Sequence, residues 1–282
     1  MSRNLVLGTV AGLIVGTGVA LLRESLDQSL NNADTVSQVT GLPVLASIPD
    51  PGRRFALSEL ALSVRDVPDG VVADGYARLR TAFQFVVAAA PVASVVVTSA
   101  NQSEGKTTTS TNLAHSLGAV GTRVVLADLD FRRPRIHSIY GVVQSPGVTD
   151  LVINGQLAAE VSYLPDPSTG TLALLTAGAS PPDPATFVAS DPIEQVIRSL
   201  EKECDVLILD APPILPVSDA LSLSRHADGV LLVVNAKTTK RRDAEQAMKS
   251  LKAAGANVIG AVLVGVRASD GYGRYGQGYG TD

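Results

Sequence analysis

Tryptophan is missing from this chain, methionine occurs twice and cysteine once, at Cys204. A lone cysteine excludes a disulfide framework or a cysteine-rich metal centre and suits a reducing compartment. An excess of positive charge is lacking too. The formal charge of −4 gives no overall field to attract a phosphate backbone, so nucleic acid is not an expected partner. Long linkers are also absent: nothing between residues 30 and 265 reads as a break between two domains. What remains is a 282-residue chain, 45% apolar with 25 glycines, enough for one sizeable α/β core with many tight strand-to-helix turns.

The stretch that organises this core is ASVVVTSANQSEGKTTTSTN, residues 93–112. An apolar run, Val95 to Val97, leads into a polar turn ending Ser103-Glu104-Gly105-Lys106-Thr107-Thr108, and a helix-competent segment comes next. A buried strand, a loop and a Gly-Lys-Thr at a helix mouth form the arrangement that holds a nucleotide's phosphates. Backbone N–H groups and the positive end of the helix face the anion, the lysine adds charge, and a hydroxyl reaches magnesium. Ala100 stands where the usual loop opens with glycine.

Ahead of this stretch, Leu5 to Leu22 carries no charge and is bounded by Arg3 and Arg23-Glu24. As a helix it would be about 27 Å long, enough to cross the hydrocarbon layer. Gly8, Gly12 and Gly16 give it one small face for close approach of a second membrane helix. A signal peptide or a buried helix are the alternatives; no cleavage site comes after it, and Arg23 to Ser29 continues as polar helix. The nucleotide site then places the chain beyond this helix in the cytoplasm. Residues 34–49 read as a short helix stopped at Gly41 and a strand, Val44 to Ile48. A loop is next, around a modest helical piece at Ala56 to Val64, and then a helix from Asp74 to Val87 with its stripe at Tyr76, Leu79, Phe83, Val86 and Val87.

Strand-like runs now alternate with helical ones. Strands are expected at Ser94 to Thr98, Arg123 to Ala127, Leu172 to Leu175, Val206 to Leu209, Gly229 to Val234 and Val258 to Val264. Helices are expected at Thr107 to Leu117, Pro192 to Lys202 and Arg241 to Ala254. Nearly unbroken apolar strands indicate a mostly parallel sheet with helices on both faces, its site beyond the strands' C-terminal ends; together with the Gly-Lys-Thr loop this resembles a P-loop NTPase-like fold. Two acidic signals fall there: Asp128 and Asp130, beside Arg132, Arg133 and Arg135, and Asp210 in VLILDAPP. A lone Asp at a strand end is usually a cap or turn residue. Two such ends downstream of a Gly-Lys-Thr point instead to carboxylates that hold magnesium through water. Asp128 can take a proton from an incoming hydroxyl and Asp130 can support the metal or the loop, a division the sequence leaves open. The chain closes on a glycine-rich stretch in which Tyr272, Tyr275 and Tyr279 supply three of the six tyrosines. It reads as a disordered tail able to deliver its phenols to an active site.

These segments together resemble the bacterial tyrosine kinases that act as cytoplasmic partners of polysaccharide co-polymerases, relatives of the MinD and ParA type ATPases. The likeness runs through LLRESLDQSL, GLPVLASIP, GKTTTSTNLA, LADLDFRRPR, GASPPDP at 178–184, LILDAPPILPVSDAL, ADGVLLVV and the tyrosine tail. It implies that Ser103, Glu104, Gly105, Lys106, Thr107 and Thr108 bind ATP. It also implies that Thr107, Asp128 and Asp210 hold Mg2+, and that Lys106, Asp128, Asp130 and Asp210 carry the chemistry. Tyr272, Tyr275 and Tyr279 would be phosphorylated in trans within a homo-oligomeric ring. A protein-tyrosine phosphatase would reverse the modification, and the cycle would regulate capsular or exopolysaccharide polymerisation and export at the inner or plasma membrane. The membrane partner carrying the extracellular half would be a separate polypeptide, or else this chain is a fragment.

The sequence departs from that pattern at four places. Gln102-Ser103 replaces the usual Pro-Gly; Asp74, Ala77 and Arg80 replace a Glu, Arg, Arg series for subunit contacts, with Arg78 about 100° away from Ala77 around the helix; Val264 replaces an asparagine near the base; and no extracellular domain precedes Leu5. The expected organisation is a membrane helix and its extension at 1–30, a kinase domain at 31–265 and a tail at 266–282. An ATPase switch without kinase activity and a degenerate ATP-binding regulator are the alternatives.

Overall fold

The computed structural model describes residues 12, 15–18, 29–52, 60–90, 92–155, 164–165 and 172–267. Most of the expected membrane span lies outside them, and the three tail tyrosines entirely so. Among the described residues no helix is long and apolar enough to cross a membrane.

The elements run α1 (Ala33–Thr40), β1 (Val44–Pro49), α2 (Ser63–Asp66), α3 (Val71–Ala89), β2 (Ser94–Ser99), α4 (Lys106–Gly118), β3 (Val124–Asp128), α5 (Ile136–Tyr140), α6 (Val148–Asn154), β4 (Leu164–Pro165), β5 (Leu172–Leu175), α7 (Pro184–Val188), α8 (Asp191–Leu200), β6 (Val206–Asp210), α9 (Asp219–His226), β7 (Gly229–Asn235), α10 (Arg241–Ala253) and β8 (Val258–Val266). The sheet order is β1-β8-β7-β2-β6-β3-β5-β4. Every neighbouring pair is parallel except β4 with β5, a two-residue antiparallel edge. The expected strands and long helices are all present. The helical piece expected at Ala56 to Val64 lies mostly outside the described residues; Leu60 and Ala61 are helical, and the short α2 comes next at Ser63–Asp66. The five- to eight-residue helices α5, α6, α7 and α9 are additions.

Each strand divides its apolar residues between two cores. Val95, Val97, Ile208, Leu231 and Val233 face one, with Tyr76, Leu79 and Phe83 of α3 and Leu113 and Leu117 of α4. Val96, Leu207, Leu209, Val230 and Leu232 face the other, with Ile193 and Ile197 of α8 and Met248 and Leu251 of α10. This is the period-2 alternation of a strand covered on both faces, which reads in sequence as a continuous apolar run. Gly75 lets α3 lie close on β1: a Cβ there would come within 3.1 Å of Ile48 Cδ1.

Helix α4 is buried along most of its length although it reads KTTTSTNLAHSLG, a sequence with little helix propensity. Several of its polar side chains are hydrogen-bonded across to the segment before and within α2. Thr111 Oγ1 donates to the Ala61 carbonyl (2.5 Å), Asn112 Nδ2 to Leu60 (2.9 Å), and Asn112 Oδ1 accepts the Val64 N–H (2.9 Å). Asn112 thereby sets where α2 begins, which local sequence could not show.

Candidate active site

Strand β2 lies between β7 and β6 in the centre of the sheet, and the loop 100–105 leaves its C-terminal end to enter α4 at Lys106. Gly105 adopts a left-handed conformation (φ 96°) and no side chain caps the helix, so the first-turn N–H groups face the loop's concavity. Ser103 is also left-handed, at φ 61°, the one non-glycine residue with positive φ among those described. This is the position where glycine was expected, and the strain has a testable size. Ser103→Gly should raise thermal stability by about 1 kcal/mol, read from denaturant or thermal unfolding; a fall would show that the serine hydroxyl matters more than its backbone.

The two acidic signals meet because β3 and β6 are neighbours: Asp128 and Asp210 are paired residues in register. Asp128 is fully buried and accepts the N–H groups of Asp130 (3.2 Å), Arg135 (2.9 Å) and Ile136 (3.0 Å). On Asp210, Oδ2 accepts from Thr107 Oγ1 (2.7 Å), and Oδ1 lies 2.9 Å from Ser110 Oγ. Asp130 Oδ2 stands 3.9 Å from Lys106 Nζ, both side chains buried in the cleft wall. Burial pushes all three carboxyls up from their ordinary range; the negative charge of Asp210 adds to the rise at Asp128, and that of Asp130 to the rise at Asp210. Lys106 pulls Asp130 and Asp210 back down. Asp130 and Asp210 therefore share one ammonium, while Asp128 is held by backbone N–H groups. Asp210, hydrogen-bonded to the Thr107 hydroxyl, offers oxygen donors of the kind a divalent cation such as Mg2+ takes.

The structure brings Lys106, Thr107, Asp128, Asp130 and Asp210 together at the C-terminal end of the sheet. Thr108 uses its carbonyl to hold Asn112 Nδ2 (2.8 Å). Glu104 does not face outward: it is buried, its Oε2 accepting the Asn101 N–H (2.8 Å) and its Oε1 the Thr239 hydroxyl (2.7 Å). Burial raises its carboxyl and these donors restrain the rise. Gln102 Oε1 accepts from Arg133 Nη1 (2.9 Å), tying the loop to the segment after β3. Val264, in register with Asn235, packs its methyl against Gly105.

Sequence reasoning missed three further contributors. Ser110 lies one helical turn after Thr107 and was legible from that spacing. Arg132 grips the buried Asp219 through Nε (2.7 Å) and Nη2 (3.1 Å), joining the loop after β3 to the first turn of α9. Thr239 comes from the loop after β7, and nothing local marks it.

A parallel sheet with a phosphate loop after a central strand and paired carboxylates on the adjoining strand ends defines a P-loop nucleotide-binding protein. The family model described as ParA, NUBPL iron-transfer P-loop NTPase, matches residues 92–264, more than half of the chain. The tyrosine-protein kinase YwqD of Bacillus subtilis is 31% identical over 74% of this chain and 88% of its own length. The tyrosine-protein kinase ptk of Acinetobacter johnsonii is 27% identical over 95% of this chain, which spans only 37% of that longer relative. The kinase domain of Escherichia coli tyrosine kinase ETK superposes with a TM-score of 0.74 at 26% identity, covering 89% of this chain and 99% of that domain. The chain belongs to the ParA-type P-loop NTPases and, within them, to the bacterial tyrosine-protein kinase family.

Proposed function

We propose that the chain is an ATP-dependent protein-tyrosine autokinase that phosphorylates its own tail tyrosines, Tyr272, Tyr275 and Tyr279, on a neighbouring subunit. The observation that carries this reading is the in-register pair Asp128 and Asp210 facing Lys106 and Thr107 across the end of the sheet. In this reading the N–H groups of residues 103–107 and the Lys106 ammonium bind the ATP polyphosphate and offset charge that develops during in-line transfer. Thr107 and Asp210, with Asp128, hold Mg2+, which would neutralise the phosphoryl oxygens when bound. Asp128 accepts the phenolic proton, its position fixed by three backbone N–H groups, and Asp130 keeps the Lys106 ammonium turned into the cleft.

The same reading makes Leu5 to Leu22 a membrane anchor, with a co-polymerase partner, a phosphatase and a subunit ring around a cytoplasmic kinase domain, acting in capsular or exopolysaccharide export. Each added phosphate would bring about two negative charges to a tail leaving an acidic cleft, a reason for the ring to loosen.

The test is intact and tandem mass spectrometry of the full chain after incubation with Mg-ATP. Additions of about 80 Da mapping to Tyr272, Tyr275 or Tyr279 are expected. ADP release without any addition, even with the co-polymerase's cytoplasmic segment present, would replace the kinase with an ATPase switch. The strained Ser103 gives the third reading its footing: ATP binding with neither product would identify a regulator that only senses nucleotide.

A further inference from the structure

Ser103 sits in its left-handed conformation between two residues that are each tied to a different loop. Gln102 is held by Arg133 on one side, and Glu104 by Thr239 on the other. A strained residue persists where its surroundings over-determine it, so these ties carry the loop's shape in place of the local Pro-Gly geometry.

The stronger tie is the one to the segment that closes β7 and opens α10. Thr239 is 3% exposed, and its hydroxyl both accepts and donates. It accepts the Asn235 N–H at 2.8 Å and donates to Glu104 Oε1 at 2.7 Å. A second tie runs parallel to it: Asn101 Nδ2 donates to Asp243 Oδ2 at 2.9 Å. The first and last side chains of the loop's polar stretch, Asn101 and Glu104, are thus both bound to residues 239–243, while the Glu104 carboxylate also holds the Asn101 N–H and closes the loop on itself.

We infer that Thr239 is a positioning residue for nucleotide binding, holding the phosphate loop, through Glu104, in the shape that turns its N–H groups toward a polyphosphate. Asp243 acts the same way through Asn101. This rests on the nucleotide-binding reading of the loop and deepens it. Thr239 touches neither the acid cluster nor the reacting atoms, so its removal weakens nucleotide affinity and leaves the transfer step largely intact. Removing the hydroxyl strands a buried carboxylate oxygen and a backbone N–H together, and the loop relaxes away from the conformation that binds.

The experiment uses the full chain and titrates Mg-ATP by calorimetry, with phosphotyrosine formation monitored at saturating ATP. Thr239→Val keeps the shape of the side chain and is expected to raise the Kd for Mg-ATP about tenfold, with the saturated rate changed about twofold or less. Thr239→Ser restores the hydroxyl and is expected to return the Kd to within about threefold of the parent. Asp243→Ala, on the half-buried first turn of α10, is expected to raise it about threefold to fivefold and serves if the valine variant does not fold. A Kd unmoved in Thr239→Val, or a loss that serine does not rescue, overturns the inference; if the valine variant does not fold, an unmoved Kd in Asp243→Ala does so. Parent protein that fails to bind Mg-ATP at all removes the nucleotide reading and this inference with it, whereas parent binding with unresponsive variants removes this inference alone.

Discussion

Asp210→Asn is expected to slow tyrosine phosphorylation severely while making the metal-free protein more stable. The buried Asp210 carboxyl titrates above its ordinary range because burial disfavours its charge and Asp130 adds repulsion, and the in-register Asp128 is raised in turn by Asp210. The folded state therefore binds these protons more tightly than the unfolded chain. That contribution to stability is fully present below the ordinary carboxylate value of 3.8 and is lost as pH rises through the raised folded values. At neutral pH the two carboxylates are a net cost. Asparagine removes one charge and keeps the local hydrogen bonds, because the Thr107 and Ser110 hydroxyls can each turn to meet a carbonyl or an amide. Stability without metal should rise by about 2 kcal/mol at neutral pH, and its decline with pH should flatten. Phosphotyrosine formation should fall about a thousandfold, because a proposed magnesium ligand is gone. Thermal unfolding in chelator at several pH values, beside a mass-spectrometric rate, checks both parts; a destabilised variant would show that Asp210 is held by more favourable charge than the cluster displays.

Lys106→Met should lose the transfer to a similar extent, about a thousandfold, with the opposite effect on stability. Methionine matches the unbranched stem and fills its buried position. What disappears is the ammonium that lowers both Asp130 and Asp210. The carboxylates are left without that charge 3.9 Å from Asp130, and metal-free stability should fall by about 3 kcal/mol or less, less if the acids take up protons. The two variants are thus indistinguishable by activity and separable by the sign of the change in melting temperature. Equal signs would mean that the acid cluster is not an electrostatic unit balanced by Lys106.

Much of this was legible in the chain. Val95 to Val97 before Glu104-Gly105-Lys106-Thr107 announces a strand, a phosphate loop and a helix because each piece has a local physical signature. Asp128 and Asp210 were recognisable as strand-end carboxylates for the same reason. The strained Ser103 was visible as a serine where glycine belongs, and its φ of 61° bears that out. Helices α5 and α6 were not legible. Five- and seven-residue segments have too few turns to show periodicity, and α5 begins where Asp128 holds the Ile136 N–H at 3.0 Å, a tertiary cause. Helix α7 did carry its signal, an Asp183 cap before Pro184, inside a segment read only for its resemblance.

Sequence alone determined the fold class, the phosphate loop and the identity of the acidic groups, because apolar periodicity, glycine placement and strand-end carboxylates are properties of neighbouring residues. Tertiary structure alone decided how those groups act on one another. The pairing of Asp128 with Asp210 arises from β3 lying beside β6. Glu104 meets Thr239 across 135 residues of chain and Asn101 meets Asp243 across 142. Contacts of that range depend on strand order and on which loops the sheet brings to one end, and no local preference of the residues involved encodes them.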